Sequence, residues 1–113
     1  MNPIEEQRKI IDQLYKIVLG SCPENAETAS CRFDLQRFED GSASVGQQFE
    51  YRAAGLLVSA ALDRALRAPV MGLVKQLHTK MKAHTGGDWQ AFTLTINRDG
   101  SVTTKFEYPQ QEG

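Results

Sequence analysis

The side chains whose type suits catalysis or ligation are few, and their spacing suits neither. His78 and His84 stand six residues apart. On a helix that spacing puts them on different faces, whereas a two-histidine metal pair wants i, i+4. Both are expected as exposed helix histidines, and no metal is assigned. Cys22 and Cys31 are nine residues apart, form no CxxC motif and lack the further clustered ligands that zinc requires. They read as free thiols of a reducing compartment. Cys31 falls on the core-facing set of a strand with no activating neighbour, so it reads as packing. No GxSxG, phosphate loop or dinucleotide fingerprint occurs, and Gly86-Gly87 lacks the lysine and hydroxyl of a phosphate cradle. Asp34, Glu39, Asp40 and Glu50 lie near one hairpin. Acid–base chemistry would need two of them buried in a cleft, but they fall at a turn and on an outward face. No catalytic residue and no cofactor follow from these positions.

Charge says more than chemistry. The 113 residues carry a net charge of −1, which argues against a general nucleic-acid binder. Residues 21–63 hold seven acids against three bases, hence −4; residues 64–113 hold seven bases against four acids, hence +3. The bland reading is solvated surface; the sharper one is an acidic face for a basic partner. No apolar run approaches the roughly 18 residues of a membrane span. The charged N-terminus shows no secretory signal. The expectation is a cytoplasmic protein that engages neither membrane nor nucleic acid.

The elements that position these groups are legible from periodicity. In 89–108 Phe92, Leu94 and Ile96 alternate with Thr93, Thr95 and Asn97, and Val102 to Tyr108 alternate likewise. This reads as two half-buried strands. A three-residue Arg98-Asp99-Gly100 loop, with Gly100 at φ > 0, pairs Asn97 with Ser101, Ile96 with Val102, Leu94 with Thr104 and Phe92 with Phe106. That register puts the large apolar side chains on one face; a two-residue loop would split them. The same loop at Glu39-Asp40-Gly41 sets Leu35 opposite Val45, Cys31 opposite Phe49 and Ala29 opposite Tyr51.

Asn2-Pro3 opens an amphipathic helix whose stripe is Ile4, Ile10, Ile11, Leu14, Ile17 and Val18, with Gly20 as its C-cap. Residues 52–69 are ambiguous between strand and helix. The Gly55 break favours a short strand over Leu56–Ala60, then helix from about Asp63. Pro69 suits a first turn, so the main helix is placed from about Pro69 to Lys82 or Ala83. Its stripe is Leu66, Val70, Leu73, Val74, Leu77 and Met81, with Lys75, Lys80, Lys82 and His84 on its outer face and C-terminal end. By parity Trp89 lies on the face opposite Phe92 and seals the joint between helix end and sheet. The order is α-β-β-β-α-β-β. It predicts an α+β fold of about five antiparallel strands with two helices on one face, as one domain over 1–113 with 108–113 as a frayed tail.

Gly86, Gly87, Trp89, Phe92, Leu94, Ile96, Asp99, Gly100, Phe106, Glu107 and Tyr108 together resemble the YezG-like immunity protein family over about residues 70–108. The resemblance implies a non-enzymatic antitoxin that binds and blocks the C-terminal domain of a cognate bacterial toxin, often a nuclease. The charge balance places the toxin-binding residues at Asp34, Glu39, Asp40 and Glu50. Two other classes stay open: an interaction or dimerisation module of unrelated role, and a small ligand-binding domain or enzyme. Toxin identity, docking face and oligomeric state are not readable from sequence.

Overall fold

Alternation and turn chemistry produce the expected order in the computed structural model, which describes residues 3–109. Helix α1 spans Pro3–Ser21. Strands β1 (Ala26–Arg37), β2 (Ala43–Ala53) and β3 (Leu56–Ala60) follow, then helix α2 (Val70–Thr85) and strands β4 (Ala91–Ile96) and β5 (Val102–Glu107). The Asn2 cap and residues 110–113 of the tail lie outside the described residues. The strands form one antiparallel sheet in the order β3-β2-β1-β4-β5. No helix among the described residues is long and apolar enough to cross a membrane.

Both hairpins take the three-residue loop. Ile96 faces Val102, Leu94 faces Thr104 and Phe92 faces Phe106. Leu35 faces Val45, Cys31 faces Phe49 and Ala29 faces Tyr51. The two turns are built alike. Gly41 and Gly100 take φ of 87° and 88°. Asp40 and Asp99 each accept two hydrogen bonds, from the amide and the hydroxyl of Ser42 and Ser101. These bonds hold both carboxyls below the usual aspartate range.

The long central strand pairs β2 on one side and β4 on the other. Ala29, Cys31 and Phe33 therefore align with Ile96, Leu94 and Phe92. Both helices cover this face, and their buried residues Ile10, Leu14, Ile17, Val18, Val70, Leu73, Val74 and Leu77 join the strand residues in one core. Phe33, Phe92 and Phe106 stack in sequence across three strands at 5.1 and 5.3 Å. The Lys80–Glu6 ion pair at 3.1 Å links the helices.

Several expectations are corrected. Residues 61–69 form turns, and α2 begins only at Val70. Leu66 thus lies outside the α2 stripe, 37% exposed, where it packs over Gly20 so closely that a Cβ there would collide with it. Helix α1 continues through Gly20 to Ser21, whose hydroxyl donates back to the Ile17 carbonyl and accepts from the Asp63 amide. Trp89 precedes β4, so strand parity does not govern it. Its ring lies on the helix-covered face, edge-on to Phe92 at 5.3 Å and beside Phe106 at 5.4 Å, and does seal the helix-to-sheet joint. His78 is only 6% exposed, because position 78 lies four residues after Val74 on the inward side of α2.

Candidate functional site

The strand residues of opposite parity define the second face of the sheet, which no described helix covers. It presents Ser30, Arg32, Asp34 and Gln36 from β1, Gln48, Glu50 and Arg52 from β2, Thr93 and Thr95 from β4, and Lys105 and Glu107 from β5. Arg32 donates through two nitrogens to the two carboxylate oxygens of Glu107, at 2.8 and 3.1 Å. This fork spans β4, joins the central strand to an edge, and holds Glu107 below the usual glutamate range.

The four acids singled out from sequence divide into two pairs. Asp34 and Glu50 lie on this uncovered face. Their positions are offset by four residues along β1, because Glu50 pairs with Ser30; at the usual strand rise that is roughly 13 Å. The Asp34 carboxylate lies over Gly46, in the space a Cβ there would occupy. Glu50 accepts from the Ser30 hydroxyl at 3.4 Å. Glu39 and Asp40 sit at the exposed tip of the β1–β2 hairpin, beyond the sheet. Arg32, Arg52 and Lys105 interleave with the acids, so the face carries both signs.

A second constellation lies on the other side, between α2 and the end of the first hairpin. A cleft of about 550 Å³ is lined by Arg37, Lys75, His78, Thr79 and Lys82, together with the apolar Leu35, Ala43 and Ala83. Lys75, His78, Thr79 and Lys82 recur at i, i+3, i+4 and i+7, one face of α2. Asp88 stands behind them. Its Oδ1 is 2.7 Å from both Arg37 Nη2 and His78 Nε2, and its Oδ2 is 3.6 Å from Lys82 Nζ. The bond to His78 comes first, and the nearby Arg37 and Lys82 charges add to it, in holding the Asp88 carboxyl below its usual range.

Arg37 Nη2 lies 2.6 Å from Nε2 and 3.2 Å from Nδ1 of His78. One donor that near to both ring nitrogens lies over the ring rather than in line with either lone pair. A carboxylate can only accept, so in the contact with Asp88 the donor is Nε2 of His78.

Sequence reasoning missed this cluster. The i, i+3, i+4, i+7 spacing of basic and hydroxyl groups on α2 was the available signal. Arg37 and Asp88 are recruited by the fold, from β1 and from the link before β4. The cysteines are free, Cys22 half-buried and Cys31 buried. Burial pushes the Cys31 thiol up to about 12, as a structural rather than reactive sulfur requires. Among the described residues no group of three or more His, Cys, Asp or Glu is placed to hold a metal ion.

No protein-family model matches the chain. Over 78 residues, 69% of its length, the chain is 36% identical to a Stenotrophomonas maltophilia protein named chorionicgonadotropic hormone-like protein. The matched region spans 18% of that protein's length, so the chain corresponds to a fraction of the relative.

Proposed function

We propose that this chain is an immunity protein, a cytoplasmic, non-catalytic antitoxin that binds a cognate toxin domain and blocks its site. The resemblance of residues 70–108 to the YezG-like immunity proteins supplies the class, with a nuclease as the expected kind of toxin. The observation that carries the reading is the division of the sheet. One face is committed to both helices, and the other, with the β1–β2 tip, presents mainly charged and polar side chains, with Leu57 at its β3 edge. Capture of a toxin needs a rigid, complementary, hydrated surface and no chemistry. Asp34, Glu39, Asp40 and Glu50 attract a basic partner, and Arg32, Arg52 and Lys105 set which basic partners are accepted. The test is co-purification with the product of the adjacent open reading frame, followed by association kinetics. Reversing Glu39, Asp40 and Glu50 to lysine slows association at low salt and flattens its salt dependence. Unchanged association at low salt would remove these acids from the interface.

A second reading, an interaction or dimerisation module, is favoured by the β3 edge. Leu56 and Leu57 are 68% and 55% exposed, on a five-residue strand with no charge or proline to guard it. Concentration-dependent dimerisation that Leu57→Lys abolishes would support it.

A further inference from the structure

We infer that the cleft between α2 and the end of the β1–β2 hairpin binds a small organic phosphate monoester. This goes beyond the immunity reading and does not depend on it. The cleft opens on the helix side of the sheet, whereas Asp34 and Glu50 lie on the other face.

Three observations carry the inference. The first is charge. Arg37, Lys75 and Lys82 converge on one cleft, and Asp88 is the carboxylate that Arg37 and Lys82 share; three cations against one anion leave +2, His78 not counted. Gathering like charges is unfavourable unless an anion offsets it. Lys75 has no hydrogen-bond or ion-pair partner for its ammonium among the described residues. A phosphate monoester, close to a dianion at neutral pH, matches that excess, and a carboxylate does not.

The second is preorganisation. Asp88 ties down Arg37 and sits close to Lys82, and His78 packs edge-on to Trp89 at 5.0 Å. Arg37 is therefore tied through Asp88 and His78 to the core at Trp89, which lowers its ordering cost on binding, while the half-exposed Lys82 and the unpartnered Lys75 are less constrained.

The third is size and polarity. A cleft of about 550 Å³ is larger than a bare phosphate needs and falls within the range of small-ligand sites. Leu35, Ala43 and Ala83 in its lining supply apolar contact for the organic part of an ester.

The experiment is a titration of the isotope-labelled full chain with phenyl phosphate at neutral pH and low salt, read by amide shifts. Inorganic phosphate and benzoate serve as comparison ligands. Saturable shifts are expected at residues 35–43 and 75–83. Phenyl phosphate should bind more tightly than inorganic phosphate, through the apolar lining, and more tightly than benzoate, through the second charge. Removing two charged donors in K75Q/K82Q should weaken binding by roughly tenfold or more, while K105Q on the opposite face leaves it unchanged. Shifts that do not saturate, equal binding by K75Q/K82Q and the unchanged chain, or equal binding of phenyl phosphate and benzoate would each overturn the proposal. Equal affinity for inorganic and phenyl phosphate would overturn the assignment to an ester. Lys75 and Lys82 are not in the core, so loss of fold does not confound the variant; its amide spectrum without ligand verifies this.

Discussion

His78 Nε2 lies 2.7 Å from Asp88 Oδ1, joining the middle of α2 to the link that leads into β4. The histidine is buried and the aspartate carboxylate about half exposed. The contact thus runs from the core to the solvent edge. It fixes how the helix end, Trp89 and the start of the last hairpin meet.

This contact carries a pH signature. The Asp88 carboxyl is held below its ordinary value of 3.8 in the folded chain. A depressed carboxylate stabilises the fold above its unfolded value, and that stabilisation is lost as pH falls through the folded value. Because Asp88 is about half exposed, solvent screening keeps the effect modest. Asp88→Asn should cost about 0.5–1 kcal/mol at neutral pH. Its denaturant midpoint should converge on that of the unchanged chain as the pH falls below the folded value. A constant difference down to that acid limit would detach Asp88 from the acid limb.

The β2–β3 turn is built on a costly residue. Ala54 takes φ 52°, followed by Gly55 at φ 76°, as a two-residue turn of this hand demands. An alanine there carries the left-handed penalty that asparagine or glycine largely escapes. Ala54→Asn should raise stability by about 0.5–1 kcal/mol, seen as an upward shift in melting temperature. An unchanged or lower melting temperature would mean that the turn relaxes away from this geometry.

The apolar residues of the last hairpin share a face but not a burial. Phe92 is fully buried between Phe33, Phe106 and Trp89, and Val102 is 37% exposed on the edge strand. Phe92→Ala should cost about 3–5 kcal/mol. Val102→Ala should stay within about 0.5 kcal/mol. Denaturant titration of the two variants decides whether β5 is part of the core along its whole length.

Thiol labelling should proceed in two phases. Cys22 is half-buried and Cys31 fully buried, with its thiol pushed up to about 12. Cys22 should react first with a thiol reagent at mildly alkaline pH, and Cys31 only as fast as the chain opens. Equal rates would place Cys31 near the surface.

The registers are readable from sequence because loop length and strand parity together leave one pairing that keeps Phe92, Leu94 and Ile96 with Phe106, and Cys31 with Phe49. Strand order is not readable. The pairing of Phe33 with Phe92 joins residues 59 positions apart, with no local signal for it. The His78 cluster is hidden for the same reason, since Arg37 and Asp88 reach it through the fold. Parity puts Trp89 on the wrong side because the count runs through a residue that precedes the strand. Spacing alone takes Leu66 into a helix that Pro69 does not allow to start so early. The charge runs locate Asp34, Glu39, Asp40 and Glu50 on or near one hairpin. They do not show that Arg32 and Arg52 of the same hairpin interleave with them on one face, or that Lys105 of β5 joins that face.

The most direct measurement is survival. Cells expressing the product of the adjacent open reading frame are plated with and without this chain, and with its Glu39, Asp40 and Glu50 reversed to lysine. The account predicts that the product kills, that the unchanged chain restores growth, and that the reversed chain restores it poorly while still folded. A lethal product that this chain does not neutralise, or one that does not kill at all, would contradict it.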